Sequence, residues 1–361
     1  MKQRNLIIGI LMLVVFLGVG GYLFTNQKSN NSRTSNNTSQ KNSITTTTTD
    51  GEVATKAQRF AESVSNDLRT SLVLDYSLSN AQKWSNFPPM GYRERVGPTF
   101  SQLDETQLGD VKTIIKSASG TKPNEGWDEI EQILNADDYL NAQTGENGFT
   151  SGNYHIAFLG TPSNTGKWEL YFGGHHLAFA NTYKDGKLIS ATPSFRGVEP
   201  FTTFSQNGRE NQPMQQEQAA FADMIGSLSS DQQSKAKLSS VLSDIVAGPQ
   251  KDDQIPITPS GIKVSELSEE QKKLVIAAMN TYVDDIDDAN AKTILTKYTN
   301  ELDDTFIAYS GTPAIDSAND YVRIDGPSVW IEFSMQKGAS LPGPHPHSVW
   351  RDKILDYGGT I

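Results

Sequence analysis

Residues Leu6 to Phe24, LIIGILMLVVFLGVGGYLF, run nineteen positions without a charged side chain. As a helix rising 1.5 Å per residue, such a run spans roughly the ~30 Å hydrocarbon core of a bilayer, so everything after it must fold on one side of a membrane. Lys2 and Arg4 precede it. By the positive-inside rule the first five residues stay in the cytoplasm and the remainder is exported. A cleaved signal peptide is the competing reading, but its apolar region is usually ~7–15 residues and ends in a small-x-small site. Here the run is longer and ends in GYLF. The chain has no cysteine, which rules out a lipoprotein anchor, disulfides and thiolate-bound metals. An exported domain without disulfides must rely on its core.

From Thr25 to Gly51 the composition turns to Asn, Ser, Thr and Gln, ending in ITTTTTD. It offers little to bury and reads as a flexible stalk. The expected organisation is therefore a cytoplasmic tail (1–5), a transmembrane helix (6–24), a stalk (25–51) and one extracellular domain (52–361) at the cell membrane. Of 31 Lys and Arg and 42 Asp and Glu, five bases and one acid lie in residues 1–50. The remaining 26 bases and 41 acids give the rest of the chain a net charge of −15. That balance argues against nucleic acid as a partner.

Within the exported part, Ala57, Phe60, Ala61, Val64, Leu68 and Leu72 recur at helical steps, predicting one helix over 54–74. Further helices are expected over 104–117, 125–142, 214–246 and 268–304. Three share a start signal: Leu103-Asp104 with Gln107, Leu228-Ser229 with Gln232, and Leu267-Ser268 with Gln271. Each pairs a capping-box acceptor with a Gln three residues on and a Leu staple in front. Strands are expected over 154–160, 167–172, 175–183, 187–192, 321–324 and 329–336. Asp185-Gly186 marks a hairpin turn. Alternation in 329–336 predicts a strand with one buried face. The fold class is α+β, an antiparallel or mixed β-sheet covered by helices. Trp84 to Pro98 reads as a solvated loop, or as one whose Arg93 and Arg95 cap a pocket. Asp284-Asp285-Ile286-Asp287-Asp288 lacks the glycine and terminal Glu of a calcium-binding hand and reads as a solvated helix junction.

Only five histidines occur, and four fall in two short motifs, GGHH (His175, His176) and HPH (His345, His347). His-x-His in an extended chain puts both rings on one side, and Pro344 and Pro346 favour extended backbone there. On a regular strand His175 and His176 would face apart unless the glycines bend the chain. These rings are candidate zinc or copper ligands. Glu199 or Glu332 could complete the set, and His155 is a further pocket candidate. Arg196 or Arg351 could steady developing negative charge. Arg196 with Glu199, or Arg351 with Asp352, could equally be structural ion pairs, and adjacent histidines could be one core and one surface residue. No H-E-x-x-H, G-x-S-x-G or phosphate-binding loop is present.

WELYFGGHHLAF, TPSFRGVEP, PSVWIEFS and HPHSVWRD followed by DYGG resemble signatures of the domain-of-unknown-function 3500 family. The resemblance covers about residues 55–361. It implies that His175, His176, Glu199, His345 and His347 belong to a shared metal or polar site, and it implies no reaction. The readings it leaves are a membrane-anchored metal-dependent hydrolase, a surface protein that binds a metal, small ligand or wall component without turnover, and an interaction module with structural histidines.

Overall fold

The computed structural model describes residues 49–89 and 94–359. The run 6–24, most of the proposed stalk, and Arg93 lie outside the described residues. Among those described, no helix is long and apolar enough to cross a membrane.

The first helical segment is two helices, α1 (Thr49–Ser63) and α2 (Asn66–Leu72). The single helix expected over 54–74 breaks because the Ser65 side chain accepts the Leu68 N–H and starts α2. A serine that captures a backbone donor competes with helix continuation. α1 begins at Thr49, inside the segment expected as stalk (25–51). Then come β1 (Val73–Leu74), α3 (Leu78–Ala81), α4 (Glu105–Ser117) and α5 (Gly126–Thr144). Strands β2 (His155–Leu159), β3 (Lys167–Gly174), β4 (Leu177–Lys184), β5 (Lys187–Ser190) and β6 (Ser194–Gly197) follow. A small ribbon of β7 (Phe204–Gln206) and β8 (Arg209–Asn211) leads to α6 (Gln215–Gly226) and α7 (Ser230–Ala236). After β9 (Ile262–Lys263), α8 (Glu269–Val283) and α9 (Asp288–Asn300), the described chain closes with β10 (Phe306–Ser310), β11 (Tyr321–Asp325), β12 (Val329–Lys337) and β13 (Pro344–Asp352). The expected helices over 214–246 and 268–304 are thus each split, and residues 237–246 are irregular.

All three capping boxes form, at Asp104, Ser229 and Ser268. The Gln232 and Gln271 side chains that complete two of them also hydrogen-bond each other.

Eleven strands make one mixed sheet in the order β1-β2-β3-β4-β6-β13-β12-β11-β10-β9, with β5 on β4. β1 pairs parallel to β2, and the other pairs are antiparallel. β6 joins the two strand blocks: Leu177 of β4 lies opposite Arg196, and His347 of β13 opposite Gly197. β6 is not among the strands expected from the sequence. Helices cover one face. Val329, Ile331, Phe333 and Met335 pack there with Val275, Met279 and Tyr282 of α8. The other side of β12 was expected to be open, yet Trp330, Glu332 and Ser334 are buried as well. Irregular chain covers that face, where Trp84, Val96 and Ile245 pack on Phe195 and Val349.

Candidate metal centre

His175 and His176 are not in a strand. They form the two-residue turn between β3 and β4, where Gly174 lies opposite Leu177. His176 holds a left-handed backbone, φ 59°. Both residues are buried. The bend stacks the rings with centroids 3.7 Å apart instead of turning them to opposite faces. Two bare glycines make room. A Cβ on Gly174 would stand 2.6 Å from the Tyr154 ring, and one on Gly197 2.9 Å from His176 Cδ2. The Tyr154 hydroxyl donates to the His175 carbonyl, and the Gly197 N–H to the His176 carbonyl at 2.7 Å.

HPH lies in β13 as an extended segment, with His345 opposite Gln336 and His347 opposite Ser334. Its rings meet His176 in a near-equilateral triangle, with centroids 5.4 Å (176–345), 5.2 Å (176–347) and 5.1 Å (345–347) apart. One nitrogen from each ring lies within 4.8 Å of the others, and His176 Nε2 stands 3.2 Å from His347 Nε2. Two nitrogens at 2.0–2.1 Å from one tetrahedral ion are separated by about 3.3–3.5 Å, so this pair has ligand spacing. His347 Nδ1 lies 3.2 Å from Asp244 Oδ1, an arrangement that puts the proton on Nδ1 and leaves the Nε2 lone pair facing His176. His345 Nδ1 is buried without a hydrogen-bond partner.

Burial, then the neighbouring His175, His347 and His345, holds the His176 ring well below the usual imidazole range. Burial, then His347 and His175, brings His345 to about 3. Both rings are therefore neutral near pH 7 and offer lone pairs. Burial opposes the charge on Asp244, but the hydrogen bond to His347, the Ile245 N–H and Lys251 together outweigh that and keep the carboxyl below its ordinary range. His175 Nδ1 sits 2.6 Å from Asp137 Oδ1, and both side chains are buried. Asp137, His175 and His176 form a second close grouping of possible ligands. The rings line a cleft of about 280 Å³ walled by Asn86, Phe87, Pro88, Phe149 and the 336–340 turn. Arg95 was expected in a solvated loop. It is partly buried and donates to the Ser85 and Phe87 carbonyls, bracing that wall.

The other candidates sit differently. Glu199 lines the cleft, but one of its oxygens accepts three amides, Ala339, Ser340 and Leu341, at 2.8–3.0 Å. It holds a turn and does not belong to the imidazole grouping. Glu332 accepts from the Val246 and Ala247 amides, Tyr321 Oη and Trp330 Nε1. Four donors leave it no role as a ligand. His155 is half-buried on β2, with Nδ1 2.9 Å from the Gly97 carbonyl, away from the other rings. Arg351 pairs with Asp252 and Asp356 beside Tyr357, and Asp352 with Lys297 and Tyr298. The proposed pairs Arg196–Glu199 and Arg351–Asp352 are both replaced by these partners.

Arg196 points to the helix-covered face. Its Nε lies 2.7 Å from Glu129 and an Nη 2.6 Å from Asp285, all fully buried. The junction 284–288 is thus solvated only at its end: Asp284, Asp285 and Ile286 are buried, Asp287 caps α9, and Asp288 is exposed. Asp137, Asp244 and Glu129 were missed from the sequence. Asp137 had a signal, since it continues the buried stripe of Ile130, Ile133 and Leu140 on α5. Asp244 stands in irregular chain and had none.

No curated protein and no solved structure matches the chain. Its sequence does match the family described as Protein of unknown function (DUF3500) over residues 46–359, a span that contains GGHH, GVEP and HPH. The chain, with its paired histidine motifs brought together at β6, belongs to the DUF3500 family.

Proposed function

We propose that this protein is anchored in the cell membrane by residues 6–24, with its N-terminus cytoplasmic. In this reading the domain faces the exterior and carries one zinc or copper ion on His176, His345 and His347. The observation that supports this most is the convergence of three imidazoles, two of them with nitrogens 3.2 Å apart, on the wall of a cleft. Three protein ligands with an open side are the pattern of catalytic rather than structural zinc. When bound, such an ion lowers the pKa of a water to ~7 and supplies a nucleophile, which makes metal-assisted hydrolysis the best-supported chemistry. Asp244 orients His347. His175, held by Asp137, is the residue placed to move a proton, because one oxygen of Glu199 is taken up by three backbone amides. Arg196 and Arg351 do not line the cleft, so neither steadies charge there.

That same commitment of Glu199 favours a second reading, metal binding without turnover. Metal analysis of the purified full chain tests the centre itself. About one zinc or copper per chain is expected, falling at least tenfold in His345→Ala/His347→Ala. Equal metal in both proteins, or none in either, would sink the proposal. Hydrolysis of ester, amide and phosphoester probes by the loaded protein separates the two readings.

A further inference from the structure

On the helix side of β6, four carboxylates surround one guanidinium. Glu125 precedes α5, Glu129 lies in its first turn, Glu217 in the first turn of α6, and Asp285 between α8 and α9. All four are buried, with Glu129 and Glu217 at 0% exposure. Were all ionised, the group with Arg196 would carry an excess of three negative charges. Buried charge needs pairing or a bound ion.

The four are not equivalent. Glu129 accepts the Met214 N–H at 2.9 Å and pairs with Arg196. Asp285 accepts the Gly126 N–H at 2.8 Å and pairs with the same arginine. Neither oxygen of Glu217 receives a hydrogen bond, nor does Oε2 of Glu125. Oxygens of Glu125, Glu217 and Asp285 nevertheless lie within 4.8 Å of one another. Calcium–oxygen distances are about 2.3–2.6 Å, so oxygens on one calcium lie no more than about 5 Å apart. The unpartnered, fully buried Glu217 carboxylate stands inside that radius.

We propose that Glu125, Glu217 and Asp285 hold a hard divalent cation, Ca²⁺, as a second ion site independent of the histidine centre. Oxygen ligands alone select a hard ion over zinc or copper. A dry cage suits calcium better than magnesium, which gives up its waters reluctantly. One dication reduces the excess from three negative charges to one. It also ties α5, α6 and the α8–α9 junction together behind the strand that carries Arg196.

The competing arrangement is protonated carboxyls, favoured by burial and mutual repulsion, which raise Glu217 and Glu125 far above the usual range. The test uses the full chain with His345→Ala/His347→Ala, so that the histidine centre is silent, stripped with EDTA and titrated with Ca²⁺. The expected result is one Ca²⁺ per chain and a melting temperature raised by about 5 °C at 100-fold excess over Kd. Adding Glu217→Gln should abolish both. No retained Ca²⁺ and no shift would overturn the site in favour of carboxylic acids. A shift that survives Glu217→Gln would overturn it in favour of surface binding. A response to Mg²⁺ or Mn²⁺ but not Ca²⁺ would overturn the choice of ion. Should the Glu217 variant fail to fold, calorimetric stoichiometry on the parent decides alone.

Discussion

Arg196 and Gly197 are neighbours on β6, yet they face two polar clusters of opposite character. Beside Gly197 the groups are imidazoles at a cleft, and burial with the neighbouring rings keeps His176 and His345 uncharged. Around Arg196 the groups are carboxylates enclosed by helices, held by one cation. Burial acts on both in the same way, against charge. It leaves the imidazoles with free lone pairs and the carboxylates with a deficit of positive charge. The first cluster therefore suits a soft or borderline ion open to exchange, and the second suits permanent structural charge.

The sharpest way to break this contrast is Arg196→Met. It strands Glu129 and Asp285 in the core, and a broken buried pair typically costs about 3–5 kcal/mol. Denaturant unfolding at pH 9, where both carboxyls are ionised, should show that loss, or no folded protein. A cost below ~1 kcal/mol would mean the carboxylates are already neutral. Asp244→Ala should cost less and act only on the histidine side. Metal affinity should fall about 10–100-fold, as expected when an orienting carboxylate is lost, with little change in stability of the metal-free chain. Equal affinity in competition titration would show that His347 needs no orienting partner.

Smallest per group, and opposite in sign between the clusters, is the response to pH without metal. Burial raises Asp285 to about 6 and Glu129 to about 8, despite Arg196 and the amides they accept. Their stabilising contribution is complete below the unfolded carboxyl pKa, ~4, and is lost as pH rises through 6 and 8. His345, lowered to about 3, contributes above the unfolded pKa of ~6.5 and loses that as pH falls toward 3. Each full proton changes stability by about 1.4 kcal/mol per pH unit. Glu129→Gln should flatten the alkaline limb of the stability–pH curve, and His345→Ala the acid limb. Unchanged limbs in both variants would contradict these assignments.

What could be read from the sequence was local. Capping boxes at Asp104, Ser229 and Ser268 need only four consecutive residues, and all three formed. The extended HPH segment followed from two prolines. The GGHH turn was misread as strand because its residues are not those usual in two-residue turns; the rings of Tyr154 and His176 against bare glycines make the bend possible, and both contacts are tertiary. β6 was not anticipated as a strand, because a buried arginine contradicts strand patterning until Glu129 and Asp285, far apart in sequence, are brought to it. Burial of Glu332 was hidden for a related reason: irregular chain at 246–247 covers it, and irregular chain has no period.

The placement of β13 has a consequence for the order of assembly. It is the last strand described, yet it sits in the middle of the sheet, between β6 and β12. His347 lies 171 residues after the His176 it faces. Until Pro344–Asp352 inserts, the two strand blocks are separate halves and the imidazole triangle lacks two of its corners. Such long-range pairing slows folding, because chain entropy is lost before the contacts form. Competence to hold an ion on these rings therefore arrives late, as a marker that the sheet has closed.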